Sequence, residues 1–302
     1  MKDSYPGLSL SRICRLLGIT RQAFYQHFWY MSDVSIEQQL VLQRVKAIRS
    51  MHPAIGARKL YLLLHPFLLD HQIKIGRDGL FDLLSENKLL VRKRKRRVNT
   101  TQSHHWLKKY PNLTKTWHPQ KPNQLWVADI TYVPITNGFL YLSLITDAYS
   151  HKIMGYNIAG NLEAVHTAKA LQMALKNKPT TNNQLIHHSD RGIQYCCGEY
   201  VSLLKQNAVQ ISMTENGDPL ENPIAERVNG IIKQEYLSHY QIYSQYQAAP
   251  LLETIIKTYN EQRPHQSINM LTPEVVHQKQ LLVNKRWGMK KQITTIVNSY
   301  QD

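Results

Sequence analysis

The chain has 302 residues, 42% hydrophobic and 19% charged, with 37 Lys+Arg against 21 Asp+Glu and a formal net charge of +16. That length leaves room for two or three domains with ample core. No run approaches the roughly 18 apolar residues that cross a bilayer, no charged-then-apolar signal opens the chain, and Cys14, Cys196 and Cys197 are too few for a disulfide framework. These features argue against a membrane protein and a secreted scaffold, so a reducing, cytoplasmic setting is expected.

The positive charge is concentrated at one end. Residues 1–120 hold 21 Lys+Arg and 7 Asp+Glu, whereas residues 121–302 hold 16 and 14. A basic half that displaces counterions from nucleic-acid phosphates is the first reading, and a solvated basic surface is the bland one. Leu8 to Tyr25 reads as helix, turn, helix: Ser9 or Ser11 caps the first helix, Gly18 ends it, and Thr20 caps the second. The second helix would present Arg21, Gln22 and Gln26 in the manner of a helix-turn-helix, against the alternative of an ordinary αα-hairpin. Cys14 falls on the apolar face of the first helix. Residues 37–50 read as a charged helix, a further helix begins at Pro53, and another follows Ile73, with Gly76 and Gly79 blurring its start.

Arg92, Lys93, Arg94, Lys95, Arg96 and Arg97 are six consecutive basic residues, read as a phosphate-tracking arm. They lead into a polar linker, Val98 to Gln120. His104 and His105 are adjacent there, but no pair of cysteines precedes the second half of the chain, so a zinc site is rejected.

The second half alternates strand and helix. A strand carries Asp129; a second, Phe139 to Asp147, is set off by the hairpin signal Asn137-Gly138; a third runs from Lys152 to Ala159. Glu163 to Lys176 is an amphipathic helix with Val165, Ala168, Leu171 and Leu175 on its stripe. A strand ending at Asp190, a helix near Gly198–Gln206, a strand Val209–Met213, a polar flap Thr214–Pro219 and a helix carrying Glu226 complete the series. On that last helix Ile224, Val228, Ile231 and Ile232 line one side, and Asn222, Glu226, Asn229 and Lys233 another.

Asp129, Asp190 and Glu226 thus come from a strand, a strand end and a helix. Three such carboxylates suit hard divalent cations, two of which can clamp the attacking and leaving oxygens of a phosphodiester. Among rival acids, Asp147 reads as a surface strand-end acid and Glu221 as a helix-start residue favoured by the dipole. His188 reads as a packed histidine rather than a ligand, Arg191 as a structural or phosphate residue, and Cys196-Cys197 as spectators. Arg263 and His265 either touch DNA or hold their turn against the core.

These motifs together resemble a known family. Trp126-x-x-Asp129-Ile-Thr-Tyr132, His188-Ser-Asp-Arg-Gly-x-Gln-Tyr195, Ser212-Met-Thr followed by Glu226, Tyr259-Asn-x-x-Arg-Pro-His265 and Thr272-Pro273 are similar to the second-frame transposase of the insertion-sequence-three family. Its catalytic core is retroviral-integrase-like, and the 35 residues between Asp190 and Glu226 match the spacing of such cores. The resemblance covers about residues 121–275. It implies an α/β fold, an RNase H-like integrase core of mixed sheet flanked by helices, behind an all-α helix-turn-helix region. It implies that Asp129, Asp190 and Glu226 are catalytic and hold two Mg²⁺, with Mn²⁺ as substitute. Lys233 fits the family's basic residue two helical turns past the glutamate, expected to contact DNA. Pro53 to about Leu90 resembles the family's second helix-turn-helix, with Arg58, Lys59 and Arg77 as DNA contacts.

The expected organisation is a helix-turn-helix segment 1–35, a second helical region 36–97, a linker 98–120, the core 121–278 and a basic tail 279–302. The expected function is cleavage at insertion-sequence ends and strand transfer, on double-stranded DNA comprising terminal repeats and target, in a bacterial nucleoid. A homo-oligomer on DNA is expected, and no membrane. An upstream-frame partner or fusion is also implied, because no sustained heptad occurs here. The rival readings are a nuclease of the same fold and a DNA-binding regulator with an inactive core.

Overall fold

A computed structural model describes residues 9–91, 106–115, 117–178, 184–215 and 221–283; side chains of residues 27–35 are not described. The chain divides into two compact units, one of residues 1–51 with 55–92, the other of residues 52–54 with 93–302.

In the first unit, α1 (Leu10–Leu16) begins at Ser9, whose Oγ accepts the Arg12 N–H at 3.4 Å. The chain turns at Gly18, at φ +69°, a conformation that costs a glycine little. Thr20 Oγ1 then accepts the Ala23 N–H at 3.0 Å and opens α2 (Arg21–Met51). α2 is one continuous helix of 31 residues, so the expected boundary at 35/36 falls inside it, and no Gly or Pro is present to stop it. α3 (Ala57–Asp70) and α4 (Arg77–Glu86) come next. Helical spacing brings Val41, Val45 and Ile48 together with Leu60, Leu64 and Leu68 and with Leu80, Leu83 and Leu84 in one core.

The second unit is a five-stranded sheet in the order β3-β2-β1-β4-β5. β1 (Leu125–Ile135), β2 (Gly138–Asp147) and β3 (Ile153–Ala159) are antiparallel neighbours, whereas β4 (Ile186–Ser189) and β5 (Gln210–Met213) run parallel to β1. The strand order and directions are those of an RNase H-like core. Period-two alternation splits β1 between two layers. Trp126, Ala128 and Ile130 face α5 (Ala164–Lys176), α6 (Ile193–Cys196) and α7 (Gly198–Gln206). Val133, with Leu140, Leu142 and Leu144 of β2, faces α8 (Pro223–Ile231) and α9 (Gln245–Gln262). The buried stripe of α5 is Thr167, Ala168, Ala170, Leu171 and Ala174, leaving the expected Val165 exposed. The alanines let the helix lie on Gly155, where an added Cβ would sit 2.1 Å from Ala170 O.

Both sheet edges are covered. Beside β5, the described part of the expected linker packs on the core: Met213 N–H bonds Pro111 O at 3.3 Å and Leu113 N–H bonds Ser212 Oγ at 2.9 Å. Beside β3, Asn260 of α9 accepts the Ile153 N–H at 2.9 Å and donates to Ile153 O at 3.0 Å. A side chain there occupies the position of a neighbouring strand. Asp147 is fully buried, not a surface acid. Its carboxylate closes the β2–β3 turn by accepting the N–H groups of Asn123, Tyr149 and Ser150 and the Ser150 hydroxyl. Nearby, α10 (Pro273–Lys279) is tied down by Glu274 to Lys152 at 2.9 Å and by His277 to Ser150 at 3.0 Å.

Candidate active site

β1 and β4 pair in parallel with Val127 opposite His188. Two residues further along each strand direction stand Asp129, within β1, and Asp190, just past the end of β4, so the two acids come side by side where β4 stops and β1 continues. α8 lies across β1 through one face. Asn222 Nδ2 donates to Ala128 O at 2.9 Å, Asn229 Nδ2 to Asp129 Oδ2 at 2.8 Å, and Lys233 Nζ to Thr131 Oγ1 at 3.3 Å. Glu226 lies on that same helical face, one turn from Asn222 and one from Asn229, close enough for its charge to act on Asp129. Three acids far apart in sequence therefore lie near one another, beside the point where β4 stops.

Their proximity is felt electrostatically. Burial first, and then the charge of Asp190, push the Asp129 carboxyl up to about 7; hydrogen bonds from Asn229 and the Ile130 N–H oppose this, and Glu226 adds to it. Asp190 Oδ1 accepts the Gly192 N–H at 3.0 Å, which turns that carboxylate back on its own loop. An added Cβ at Gly192 would stand 3.0 Å from that same oxygen, so the glycine admits the turn. In these rotamers the acids do not converge on one point, and among the described residues no three His, Cys, Asp or Glu side chains are placed to hold an ion. The donor chemistry nonetheless suits a hard cation: all three candidate groups are carboxylates, and one is raised by desolvation and by its neighbours.

The surrounding polar groups support this arrangement. His188 Nε2 donates to Glu221 O at 3.1 Å and its Nδ1 accepts the Ser212 hydroxyl at 2.8 Å, the tautomer of a neutral ring, and burial lowers its pKa accordingly. His188 thus ties β4, β5 and the start of the glutamate helix together, with both ring nitrogens engaged. Glu221 accepts the Glu215 N–H across the flap rather than capping α8. The carbonyl oxygens of Asn222 and Asn229 and the hydroxyl of Thr214 are buried beside the acids without a partner. Asn229, which the helical spacing places on the Glu226 face, is the side chain that meets Asp129. Arg263 and His265 are buried, which settles them as holding their turn rather than touching DNA. Cys196 packs its Sγ on Met213 Sδ at 3.7 Å, and burial pushes its thiol up to about 11.

Of the expected DNA contacts, Arg21, Gln22, Arg58 and Arg77 are exposed and Lys59 is half-buried. Arg77 bonds the neighbouring Asp78 at 2.9 Å. Arg92 to Arg97, most of the flap and most of the basic tail lie outside the described residues.

Fold and site define the class: a nucleotidyl-transferring integrase core, with candidate acids inside a central strand, just past the end of its parallel neighbour and on a facing helix. Two profiles of the integrase core domain match residues 119–219 and 207–273. A 31 kDa protein of the insertion element IS600 from Shigella sonnei is 34% identical over 271 residues, covering 88% of this chain and 98% of the relative. The transposase InsF for insertion sequence IS3A from Escherichia coli K12 is 31% identical over 170 residues, 56% of this chain and 59% of the relative. Among solved structures, the HTLV-2 integrase catalytic core domain in complex with magnesium is 18% identical, covering 53% of this chain and 99% of that one, at a TM-score of 0.43. The chain belongs to the insertion-sequence-three transposases with an integrase core, and is a transposase of the polynucleotidyl transferase class.

Proposed function

We propose that Asp129, Asp190 and Glu226 are the catalytic triad of a transposase that cuts the ends of its element and joins them to new DNA. The observation that supports this reading is the crossing of α8 over β1, which lays the helix face of Asn222, Glu226 and Asn229 on the strand that carries Asp129, beside the end of β4. In the first step water attacks the phosphorus at the element boundary, and the 3′-oxygen leaves as a free hydroxyl. In the second, that 3′-hydroxyl attacks a target phosphodiester and displaces the target's own 3′-oxygen. No covalent protein–DNA link is needed, so no Ser or Tyr nucleophile is required.

Asp129, Asp190 and Glu226 would hold magnesium, probed equally well with manganese, which when bound supplies an acidified nucleophile and neutralises the charge developing on the phosphate. Asn229 keeps the Asp129 carboxylate oriented, and Lys233 offers a cation to the phosphate backbone beside it. The exposed basic residues of the first unit supply the sequence-independent grip on duplex DNA. Synapsis of two element ends requires more than one copy on DNA.

The test is cleavage of a labelled duplex carrying the element's end in Mg²⁺, comparing wild type with Asp129→Asn, Asp190→Asn and Glu226→Gln. Each variant should lose nicking by at least about 100-fold while its DNA affinity stays within about 3-fold. Wild-type-like cutting by any of the three removes that residue from the triad. Running the assay also with the fused upstream frame separates an inactive core from a missing partner.

A further inference from the structure

The Tyr259-Asn-x-x-Arg-Pro-His265 motif has no part in the proposed chemistry, yet it builds a buried polar cluster. Tyr259 donates to His151 O at 3.0 Å, His151 and His265 stack with centroids 5.5 Å apart, and Asn260 caps the sheet edge. At its centre the buried Arg263 grips Glu235 with two prongs, Nε to Oε2 at 3.0 Å and Nη2 to Oε1 at 2.9 Å.

Glu235 lies in a π turn, Ile232–Tyr236, that continues directly from α8. At about 100° per residue, an unbroken α-helix would point Glu235 about 180° away from Glu226, into the core between Val228 and Ile231. The π turn accommodates an extra residue and rotates the remainder of the helix by about one position. Tyr236 therefore takes the core place at 1% exposure, and Glu235 swings to the flank where Arg263 waits. His52 Nδ1 meets the Tyr236 hydroxyl at 2.8 Å, and the Ala54 N–H bonds Glu235 O at 3.2 Å, holding the same turn from another side. Lys233 projects from this turn onto Thr131, two residues beyond Asp129 on the same strand face.

A buried ion pair is a poor device for stability alone, since apolar residues of like volume serve as well or better. Its geometric demand is the more informative property. We propose that Arg263 is a positioning residue that acts through Glu235: the pair holds the π turn open and so fixes Lys233 where it receives a DNA phosphate beside the triad.

This rests on Lys233 being a phosphate contact, and the experiment separates the two statements. Binding of a fluorescein-labelled duplex of arbitrary sequence is measured in EDTA across a salt series. The proteins are wild type, Lys233→Gln, the pair variant Glu235→Met with Arg263→Met, the triple variant, and Arg263→Lys; thermal unfolding is followed in parallel. The apolar pair is chosen because it can fold without the ion pair, and Arg263→Lys keeps the charge while losing the fork. Lys233→Gln should make the negative slope of log affinity against log salt shallower by about 0.9, and the pair variant should lose the same increment. Arg263→Lys should lose it too, and the triple variant should lose no more than either parent. A wild-type slope in the pair variant and in Arg263→Lys, or a triple variant whose loss is the sum of its parents, overturns the positioning role. An unchanged slope in Lys233→Gln overturns the phosphate contact and the positioning role together, and leaves the triad untouched.

Discussion

Replacing Asp129 by asparagine should stabilise the metal-free protein at pH 8. In the folded chain the carboxyl is held at about 7, against 3.8 for a free aspartate, chiefly by burial and then by Asp190. Between those two values the unfolded chain ionises while the folded one does not, so stability is lost as pH rises through the window. A shift of about three units corresponds to at most about 4 kcal/mol, and because Asp129 is only half-buried we expect about 1–2 kcal/mol at pH 8. For a unit of this size that amounts to about 2–8 °C in Tm.

Asparagine fits the site. Asp129 accepts from Asn229 Nδ2 and from the Ile130 N–H. The Asn229 carbonyl, buried and without a partner, can turn to accept from the new amide. The assay is thermal unfolding in EDTA at pH 8 and pH 4, then with added Mg²⁺. The variant should lead at pH 8 and lose its lead at pH 4. Mg²⁺ at about 100 times its Kd should raise the wild type by about 2.7 kcal/mol and the variant by less. A variant no more stable than wild type at pH 8 without metal would refute the electrostatic account of this site.

Asp147→Asn should behave oppositely to the triad variants. It sets an amide NH2 against the buried Asn123 N–H and leaves the three donors on the other oxygen with an uncharged acceptor, which should cost about 2–4 kcal/mol in urea unfolding, whereas Asp190→Asn should leave unfolding nearly unchanged. Asn260→Ala uncovers both backbone groups of Ile153 on edge strand β3; we expect a loss of about 1–3 kcal/mol and concentration-dependent association by light scattering. His52, pushed down to about 4 by burial and then by Arg263, stays neutral in the fold while the unfolded chain takes up a proton below 6.5. Stability should therefore fall as pH drops from 6.5 to 4, by about 2–3 kcal/mol from this group, and His52→Gln should flatten that fall in unfolding measured across the window.

Local chemistry was legible in the chain itself. Asn137-Gly138 predicts the β1–β2 hairpin, and Gly138 adopts φ +110° there. The spacing of Asn222, Glu226, Asn229 and Lys233 predicts one helical face, and three of the four reach β1. Ser9, Gly18 and Thr20 each cap or turn as their types demand. All of these depend on neighbours within a few residues, where backbone sterics and helical or strand period leave few choices. Pairing across long stretches of chain was beyond such reading. The β1–β4 register sets Asp129 beside Asp190, and the strap at Pro111 closes the β5 edge. Asp147 looks in sequence like any strand-end acid, and only the fold wraps it in donors. Glu235 and Arg263 give no sign of each other in the chain. Their pairing comes from one extra residue in a helical turn, and that residue is accommodated because Tyr236 fills the core place that Glu235 would otherwise have to occupy.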